Sequence, residues 1–439
     1  MRGLNQILKS MTPAAQIQAS IELLDEMFDK ARPADRLIAQ YFRARRYIGS
    51  KDKRSISKTI YQVLRHRLCL AYVLQEQNLP VSARFLVAAS LLQEKAELKT
   101  YFDGIAYHPK PFSNDAFEHL QQLDFAALES APTSVQLNIP DWLAPKLEQS
   151  LGAAYVVEMQ ALNSRATTDI RVNLLKVSVE EMANSLESAS FEFSQSQLSP
   201  WCIRFNQRVA LTSLDSFRQG HFEIQDEGSQ LLALASEAKT GEKVVDFCAG
   251  AGGKSLAMAT MMDNKGVIHA CDVHNKRLAQ LSLRAKRAGV HNIRVHELSS
   301  EHDKWVKQHR SMADIVMIDA PCTGTGTWRR NPDSRWNLKP EHLDNLLIVQ
   351  QSILQSASRL VKPGGRLLYA TCSLLKEENQ QQIEQFLLNN SDFSYRTINL
   401  PESTLGQLSA GEYQQHQLTL SPANSGTDGF YLCALQRIA

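Results

Sequence analysis

The chain has 439 residues, of which 43% are apolar, so it can fill more than one hydrophobic core and is not disordered. Its net charge of +2 indicates no charged partner, and its seven scattered cysteines form no CxxC pair, which excludes a zinc ribbon and a disulfide framework. No apolar run is long enough to cross a membrane, and residues 1–27 lack the apolar core of a signal peptide, so we expect a soluble, cytoplasmic protein.

Residues 1–130 are predicted to form an all-helical domain. In amphipathic helices, apolar residues recur at every third or fourth position. This spacing covers residues 14–30, 34–48, 56–75 and 82–93. The stretch from Arg36 to Arg67 contains ten basic residues and a single acid, Asp52. Clustered cations displace counterions from nucleic acids, so this stretch is either an RNA-binding face or an ordinary solvated helix surface.

Residues 131–215 are predicted to form a small α+β module. The predicted strands cover residues 170–173, 202–205 and 208–211, and a helix is predicted over 178–187. Arg171 and Asn173 lie on the first of these strands. They could contact RNA, or they could simply belong to a strand at the surface.

Residues 216–439 alternate apolar strands with amphipathic helices, which predicts a parallel sheet covered by helices on both faces. The predicted strands cover 244–248, 267–272, 293–298, 314–319 and 366–371. The predicted helices cover about 254–262, 275–288, 341–360 and 376–389. Residues 393–400 and 429–436 are predicted to add an antiparallel pair at the end of the chain.

The first strand of this domain leads into a run of small residues and a lysine: Ala249, Gly250, Ala251, Gly252, Gly253 and Lys254. Small residues let a ligand approach the backbone at the start of a helix. A phosphate loop of the NTPase type would need a glycine at Cys248, so that interpretation is disfavoured. Asp272 ends the second strand, where an acid either binds ribose hydroxyls or caps a helix. The loop and the acid together fit NAD or S-adenosylmethionine.

Two cysteines directly follow apolar strands. Cys322 ends the sequence Asp-Ala-Pro-Cys, and Cys372 lies in Thr-Cys-Ser. Because the carboxyl ends of parallel strands meet at one edge of a sheet, we expect both thiols there, where they could perform covalent chemistry. An isolated cysteine at such a position is more often a small packing residue. We assign that role to the remaining five: Cys69, Cys202, Cys248, Cys271 and Cys433.

Taken together, these motifs resemble those of the NOL/NOP/Sun family of RNA cytosine-5 methyltransferases. The matching segments are 246–254 (DFCAGAGGK), 319–326 (DAPCTGTG), 329–333 (RRNPD) and 369–373 (YATCS), with 225–229 and 428–431 as flanking motifs. Residues 34–67 resemble the NusB-like domain of the bacterial Sun (RsmB-like) branch. Ala251 stands where the family usually has proline, and Ser299 stands where it has an acid.

This resemblance implies a three-part architecture. Residues 216–439 would form a Rossmann-like class I methyltransferase domain with a seven-stranded mixed sheet. Residues 1–130 would form an all-helical NusB-like RNA-binding domain, and 131–215 a small α+β RNA-binding module. The implied cofactor is S-adenosylmethionine, without a metal ion. Its predicted site comprises Ala249, Gly250, Ala251, Gly252, Gly253, Lys254, Asp272, Arg277, Ser299 and Asp319.

The resemblance also implies roles for the two thiols. In DNA cytosine methyltransferases the Pro-Cys thiol attacks the base, whereas in this RNA family the Thr-Cys thiol attacks carbon 6 and the Pro-Cys thiol assists release. We therefore predict Cys372 as the nucleophile and Cys322 as the release residue. Asp319 is predicted to contact N3 of the cytosine. An ordinary thiol has a pKa of about 8.5, and Lys254 is the candidate cation that favours the thiolate.

The expected substrate is structured RNA with an accessible cytosine, because the base must leave its stack. Arg329, Arg330 and Arg335 are predicted to hold its phosphates. The Sun-branch resemblance implies small-subunit ribosomal RNA and a monomeric, cytoplasmic enzyme. The alternatives are methylation of transfer RNA, a non-enzymatic RNA-binding ribosome assembly factor, an NAD-dependent oxidoreductase and, last, methylation of DNA.

Overall fold

The structure is a computed structural model that describes residues 10–30, 32–207 and 209–438. It divides into two compact units. The first unit comprises Met1–Glu148 and Arg330–Leu338, and the second comprises Gln149–Arg329 and Lys339–Ala439. The first unit is therefore discontinuous in sequence. Residues 1–9 of the N-terminal stretch and Arg208 of the predicted strand 208–211 lie outside the described residues.

The described residues of the first unit form helices and no strand, as predicted. The helices are Pro13–Asp29, Ala34–Ala44, Ser50–Arg65, Arg67–Glu76, Ala83–Gln93, Asn114–Gln121, Thr133–Gln136 and Ser334–Asn337, with Ala144–Leu151 containing the boundary between the units. Their apolar faces meet in one core around Leu24, Ile56 and Leu86, which are fully buried. The helix predicted over 56–75 is divided at His66, which ends one helix and precedes the next.

The returning segment Arg330–Leu338 is hydrogen-bonded into the first unit. The Ala34 amide donates to Asp333 Oδ2 at 2.9 Å, and Arg335 Nη1 donates to the Asn138 carbonyl at 2.9 Å. Arg335 is almost fully buried, and burial lowers its pKa to about 9. The prediction that Arg335 holds RNA phosphates is wrong, because its guanidinium is buried inside this unit and donates to a backbone carbonyl there.

The second unit begins with a small antiparallel sheet. Its strands are β1 (Thr168–Val172), β2 (Ser194–Gln195), β3 (Cys202–Phe205) and β4 (Phe222–Ile224), in the order β2-β3-β1-β4. The helix Val179–Ser188 packs on it, with Met182 and Leu186 in the shared core. The strand predicted at 208–211 is wrong over its described residues. The Ser213 amide bonds the Ala210 carbonyl and closes a 3-10 turn at Leu211–Ser213 instead.

The large sheet follows. Its strands are β5 (Lys243–Asp246), β6 (Val267–Asp272), β7 (Ile293–Glu297), β8 (Ala313–Asp319), β9 (Val361–Thr371), β10 (Phe393–Tyr395), β11 (Tyr413–Gln414), β12 (Gln417–Leu420) and β13 (Phe430–Arg437). The order is β11-β12-β13-β9-β8-β5-β6-β7, and β10 pairs with β13. Strands β5 to β9 pair in parallel, whereas β10, β12 and β13 pair antiparallel.

The predicted Rossmann-like α/β class is confirmed by this mixed sheet. The sheet has nine strands among the described residues rather than seven, because short pairings at β10 and β11 extend its antiparallel side. The main helices of this unit are Tyr155–Leu162, Glu227–Leu234, Gly253–Met261, Asn275–Ala288, Lys304–Gln308, Pro340–Ala357 and Gln380–Asn389, with short helices at Asp215–Arg218 and Glu402–Leu405. No helix in the described part of the chain is long and apolar enough to cross a membrane.

A histidine cluster lies at the β7 edge of the large sheet. His269 on β6 stacks on His296 on β7, with Nδ1 and Nε2 of the two rings 2.9 Å apart. Trp305 and His309 both contact the His269 ring. Burial and the neighbouring imidazoles together lower the pKa of His269 from 6.5 to about 4. The folded protein therefore keeps this ring neutral.

We expect the protein to lose stability as the pH falls from 6.5 through about 4, because the unfolded chain binds a proton at His269 that the folded chain excludes. After allowance for solvent screening at the sheet edge, the loss between neutral pH and about pH 5 should be about 1 kcal/mol. Urea titrations measure it. His269→Asn should flatten the pH dependence, whereas His342→Asn, at an exposed position, should not. Equal pH dependence in wild type and His269→Asn would contradict the prediction.

Candidate active site

A cavity of about 560 Å³ opens at the carboxyl ends of the parallel strands. Strands β5, β6 and β8 each end in an acid that lines it, and Cys372 follows β9. The wall is completed by Gln225, Ser229, Cys248, His274, Arg277, Glu301, Cys322, Val349 and Ile353, among others. The strand order reverses at β5, and open α/β sheets bind their ligands at such a switch point.

The glycine loop between β5 and the helix Gly253–Met261 forms one wall of the cavity. Gly250 and Gly252 adopt φ values of +55° and +81°, in the left-handed region that glycine tolerates. A Cβ at Gly250 would meet no atom within 4 Å, whereas one at Gly252 would approach Leu281 to 2.4 Å. Gly250 therefore leaves the cavity open, and Gly252 lets the loop pack. Ala249, Ala251, Gly253 and Lys254 also line the cavity, and Gly252 does not.

Two guanidinium groups hold this loop through its carbonyls. Arg284 Nη1 donates to the Ala251 carbonyl, and Arg171 Nη1 donates to the Gly253 carbonyl, each at 2.7 Å. Neither alternative for Arg171 and Asn173, an RNA contact or a strand at the surface, is correct. Both side chains are buried, and Asn173 Nδ2 bonds two backbone carbonyls of the same unit.

The acids that end β5 and β6 are held in different ways. Asp272 accepts the Gly250 amide and the His274 amide, each at 2.8 Å, so it orders the turn as well as lining the cavity. Asp246 Oδ2 accepts the Ser255 hydroxyl at 2.6 Å, while its buried Oδ1 has no hydrogen-bond partner. Burial raises the pKa of Asp246 to about 6, although the Ser255 hydrogen bond opposes the shift. The sequence interpretation did not single out Asp246 for the cofactor.

Of the predicted cofactor residues beyond the glycine loop, some line the cavity and one does not. Arg277 lines the cavity, as does Asp319. Ser299 lies outside the lining, because its amide and hydroxyl both donate to Asp303 Oδ2, at 2.9 and 2.7 Å. Glu301 lines the cavity two residues further on, and the sequence interpretation missed it. The only available signal was its proximity to the end of β7.

The cysteines after β8 and β9 meet in the cavity. The sulfurs of Cys322 and Cys372 are 3.4 Å apart, and both side chains are half-buried. The Gly326 amide donates to the Cys372 carbonyl at 3.0 Å, which ties the two loops together. The contact with Cys372, followed by burial, raises the pKa of the Cys322 thiol well above its ordinary value. Cys248, assigned to packing, also lines this cavity.

Lys254 and Asp319 form an ion pair at the same site. Lys254 Nζ lies 2.6 Å from Asp319 Oδ2. Burial alone would lower the pKa of Lys254, but Asp319, Asp246 and Cys372 together raise it, so the side chain is an ammonium. The four predicted catalytic residues therefore line one cavity, together with the glycine loop.

Arg329 was predicted to hold RNA phosphates, and this is wrong. Its guanidinium is buried and lies 2.9 Å from Asp428 Oδ1. The Asp428 amide donates in turn to Asp226 Oδ2 at 3.2 Å. The two flanking motifs noted in the sequence, 225–229 and 428–431, are thereby joined. Buried ion pairs of this kind are costly to break on one side, which suits a structural role.

An α/β sheet with a glycine loop, strand-end acids and paired strand-end thiols fits the class of Rossmann-like methyltransferases. Comparison with known proteins agrees. The family model for 16S rRNA methyltransferase RsmB/F matches residues 232–436, and that for the RsmF/B-like ferredoxin-like domain matches residues 139–212. The chain belongs to the RsmB/F methyltransferase family, as the motifs predicted.

Individual relatives are similar over much of the chain. A probable ribosomal RNA small subunit methyltransferase B of Synechocystis sp. is 34% identical, over 69% of this chain and 67% of the relative. Its counterpart in Bacillus subtilis is 26% identical, over 89% of this chain and 92% of the relative. The crystal structure of a methyltransferase homologue from Pyrococcus horikoshii is 28% identical, with a TM-score of 0.58, over 72% of this chain and 100% of that chain. The prediction of an RNA methyltransferase is confirmed.

Proposed function

We propose that this protein transfers a methyl group from S-adenosylmethionine to carbon 5 of a cytosine in small-subunit ribosomal RNA, through a covalent bond between Cys372 and the base. The observation that carries the proposal is the 3.4 Å contact between the Cys322 and Cys372 sulfurs beside the ion pair of Lys254 and Asp319. The ribosomal substrate is supported by the relatives, which are named as small-subunit ribosomal RNA methyltransferases.

The cavity fits S-adenosylmethionine, which supplies an electrophilic methyl group when it is bound. Asp246 Oδ1 is buried without a hydrogen-bond partner, so it can accept from a ligand amino group. Gly250 leaves open space beside the backbone. Asp272 can accept from ribose hydroxyls, and Arg277 lies in the same wall. We propose these residues, with Ala249, Ala251 and Gly253, as the cofactor site, and Glu301 in place of Ser299.

The two thiols have different roles in the proposed reaction. Carbon 5 of cytosine is a poor nucleophile. Addition of a thiolate to carbon 6 raises the electron density at carbon 5, which can then attack a methyl group. We assign the attack to Cys372, because its Thr-Cys-Ser motif is the one whose thiol attacks in the RNA family that the sequence resembles. After methylation the carbon-5 proton passes to a water molecule, and the electron pair of that C–H bond restores the double bond between carbon 5 and carbon 6. The bond between carbon 6 and sulfur breaks in this step, and Cys372 departs as a thiolate. Cys322, at 3.4 Å, assists this release.

Lys254 and Asp319 stabilise the charges of the reaction. The Lys254 ammonium interacts electrostatically with Cys372, so it favours an anionic sulfur there. Asp319 holds Lys254 and faces the same cavity, where its carboxyl group can contact N3 of the cytosine. N3 gains electron density when the thiolate adds to carbon 6, and it takes up a proton through this contact. Preorganised charges of this kind stabilise the charge that develops during a reaction.

RNA binding is proposed for the basic stretch of the first unit and for the small sheet of the second. Six basic side chains of this stretch are exposed: Arg36, Arg43, Arg46, Lys51, Arg54 and Lys58. Lys58 pairs with Glu94, and Arg65 is buried, so the basic face is smaller than the sequence indicated. Exposed cations release counterions from RNA, and binding should therefore weaken as salt rises. We also propose a monomeric protein of the cytoplasm, and the seven free thiols fit that reducing compartment.

The test is incubation with labelled S-adenosylmethionine and, separately, small-subunit ribosomal RNA, the small subunit itself and transfer RNA. We expect 5-methylcytosine in the ribosomal substrate, located by bisulfite sequencing with and without the protein. Methylation confined to transfer RNA would overturn the substrate, and labelling of another atom would overturn the chemistry. Full function of Cys372→Ser in cells would favour the alternative of a non-enzymatic assembly factor.

A further inference from the structure

One carboxylate that neither cysteine motif contains joins the two cysteine loops. Glu378 lies on the 3-10 turn Lys376–Glu378 and is fully buried. Its Oε1 accepts the Thr323 amide at 2.9 Å. Its Oε2 accepts the Thr323 hydroxyl at 2.5 Å and also the Ser373 hydroxyl. Glu378 thus binds the residue that follows each of the two reactive cysteines.

Gln350 extends this contact to the other side of Cys322. Its Nε2 donates to Glu378 Oε1 at 2.9 Å and to the Pro321 carbonyl at 3.0 Å. Pro321 precedes Cys322 in the chain, and Thr323 follows it. The backbone is therefore held on both sides of this thiol by groups that converge on a single carboxylate.

The loop of Cys372 is held in the same way. Asn379, the neighbour of Glu378, accepts the Thr371 hydroxyl at 2.5 Å and donates to the Ser373 carbonyl at 2.9 Å. Thr371 and Ser373 flank Cys372. Four donors reach the Glu378 carboxylate, which suits an ionised group because a carboxylate only accepts. Loss of this acceptor would leave several buried donors unsatisfied.

We propose that Glu378 is a positioning residue that sets the separation of Cys322 and Cys372 and places a fixed negative charge beside Cys322. Its catalytic consequence rests on the proposed function, but the positioning itself is a property of the folded protein. Small displacements of reacting groups slow a reaction strongly: a displacement of about 1 Å can lower the rate roughly 10²-fold. The Glu378 charge also contributes to the raised pKa of Cys322, with Cys372 the larger cause, and Tyr369 faces the same thiol.

The first experiment measures the separation of the thiols without RNA or cofactor. Phenylarsine oxide condenses with two adjacent thiols, forming two As–S bonds and releasing water, and intact mass with peptide mapping shows where it binds. Wild type should be bridged between Cys322 and Cys372, and so should Glu384→Ala, an exposed carboxylate on the helix Gln380–Asn389. Glu378→Ala should be bridged roughly tenfold more slowly or not at all. Bridging at the wild-type rate in Glu378→Ala would overturn the proposal.

The second experiment separates charge from position. Glu378→Gln keeps an acceptor for Thr323 and Gln350, so it should fold and be bridged at a rate close to wild type. It removes the charge, and the pH midpoint of Cys322 alkylation should move to lower pH. Glu384→Ala should leave this midpoint in place. An unchanged midpoint in Glu378→Gln would overturn the assigned charge, and this variant decides the matter if Glu378→Ala does not fold.

The kinetic readout completes the test. Glu378→Ala should lower kcat roughly 10²-fold and leave the KM for RNA within about threefold, because the displaced groups act on the base and not on distant phosphates. If wild type shows no methylation while the arsenical contrast persists, the proposed function fails and the positioning role stands. If the arsenical contrast is absent while wild type methylates RNA, the positioning role fails alone.

Discussion

Replacement of Cys372 by alanine should abolish both methyl transfer and the covalent protein–RNA adduct, whereas Cys322→Ala should accumulate that adduct. In the proposed mechanism Cys372 forms the bond to carbon 6, so its loss removes the chemistry, and the rate should fall by roughly 10³-fold or more. Cys322 lies 3.4 Å away and is proposed to assist the breaking of that bond, so its loss should stall the complex. A denaturing gel with labelled RNA measures the adduct directly.

The matched control for both cysteine variants is Cys248→Ala, because Cys248 lines the same cavity but lies on the loop after β5. Its activity should stay within about threefold of wild type, since a thiol without a reacting partner contributes only packing. An adduct that persists in Cys372→Ala would exchange the roles of the two thiols. Absence of any adduct in Cys322→Ala would remove the release role.

Replacement of Asp319 by asparagine should lower kcat by roughly 10²-fold, in the range for removal of one preorganised charge from an active site. Lys254 lies 2.6 Å from this carboxylate and would lose its charged partner. Stability should also fall, because the buried ammonium is left without its counter-charge. The KM for RNA should change by no more than about threefold, since Asp319 is not among the basic residues proposed to bind RNA phosphates. Single-turnover kinetics distinguish the chemical step from binding.

The control for this prediction is Asp314→Asn on the same strand. Asp314 also pairs with a lysine, Lys362, but it lies at the opposite end of β8 from the cavity. Its replacement removes an ion pair of the same type and should leave kcat unchanged. If both variants lose activity equally, the loss is caused by disturbance of strand β8 and not by removal of the Asp319 carboxylate.

The positions of the parallel strands and of their ends could be predicted from the sequence, because continuous apolar runs and glycine loops are local features. Asp272, Cys322 and Cys372 were placed at one sheet edge on that basis, and they lie there. Charged side chains were predicted less well. Arg171 and Arg335 look like surface cations in the sequence, yet both are buried. The sequence could not show this, because the carbonyls that accept their hydrogen bonds lie far away in the chain.

Distance along the chain also explains the residues that were missed. Glu378 bonds Thr323, which lies 55 residues earlier, and no spacing rule links the two. Ser299 was chosen by its position after β7, but whether its hydroxyl faces the cavity depends on the turn that Asp303 closes. Domain boundaries, the cofactor contacts and the roles of the thiols remain predictions.

The returning segment Arg330–Leu338 has a consequence for biosynthesis. Its Trp336 Nε1 donates to the Leu64 carbonyl at 2.6 Å, so the helical unit includes residues that leave the ribosome long after Glu148. At about 5–20 residues per second, translation of residues 149–329 takes roughly 10 to 40 s. During that interval the nascent helical unit lacks part of its native interior. It completes its folding only when the chain beyond the thiol loop of Cys322 emerges, so helices translated before Glu148 reach their native packing only after residues 149–329 have been translated.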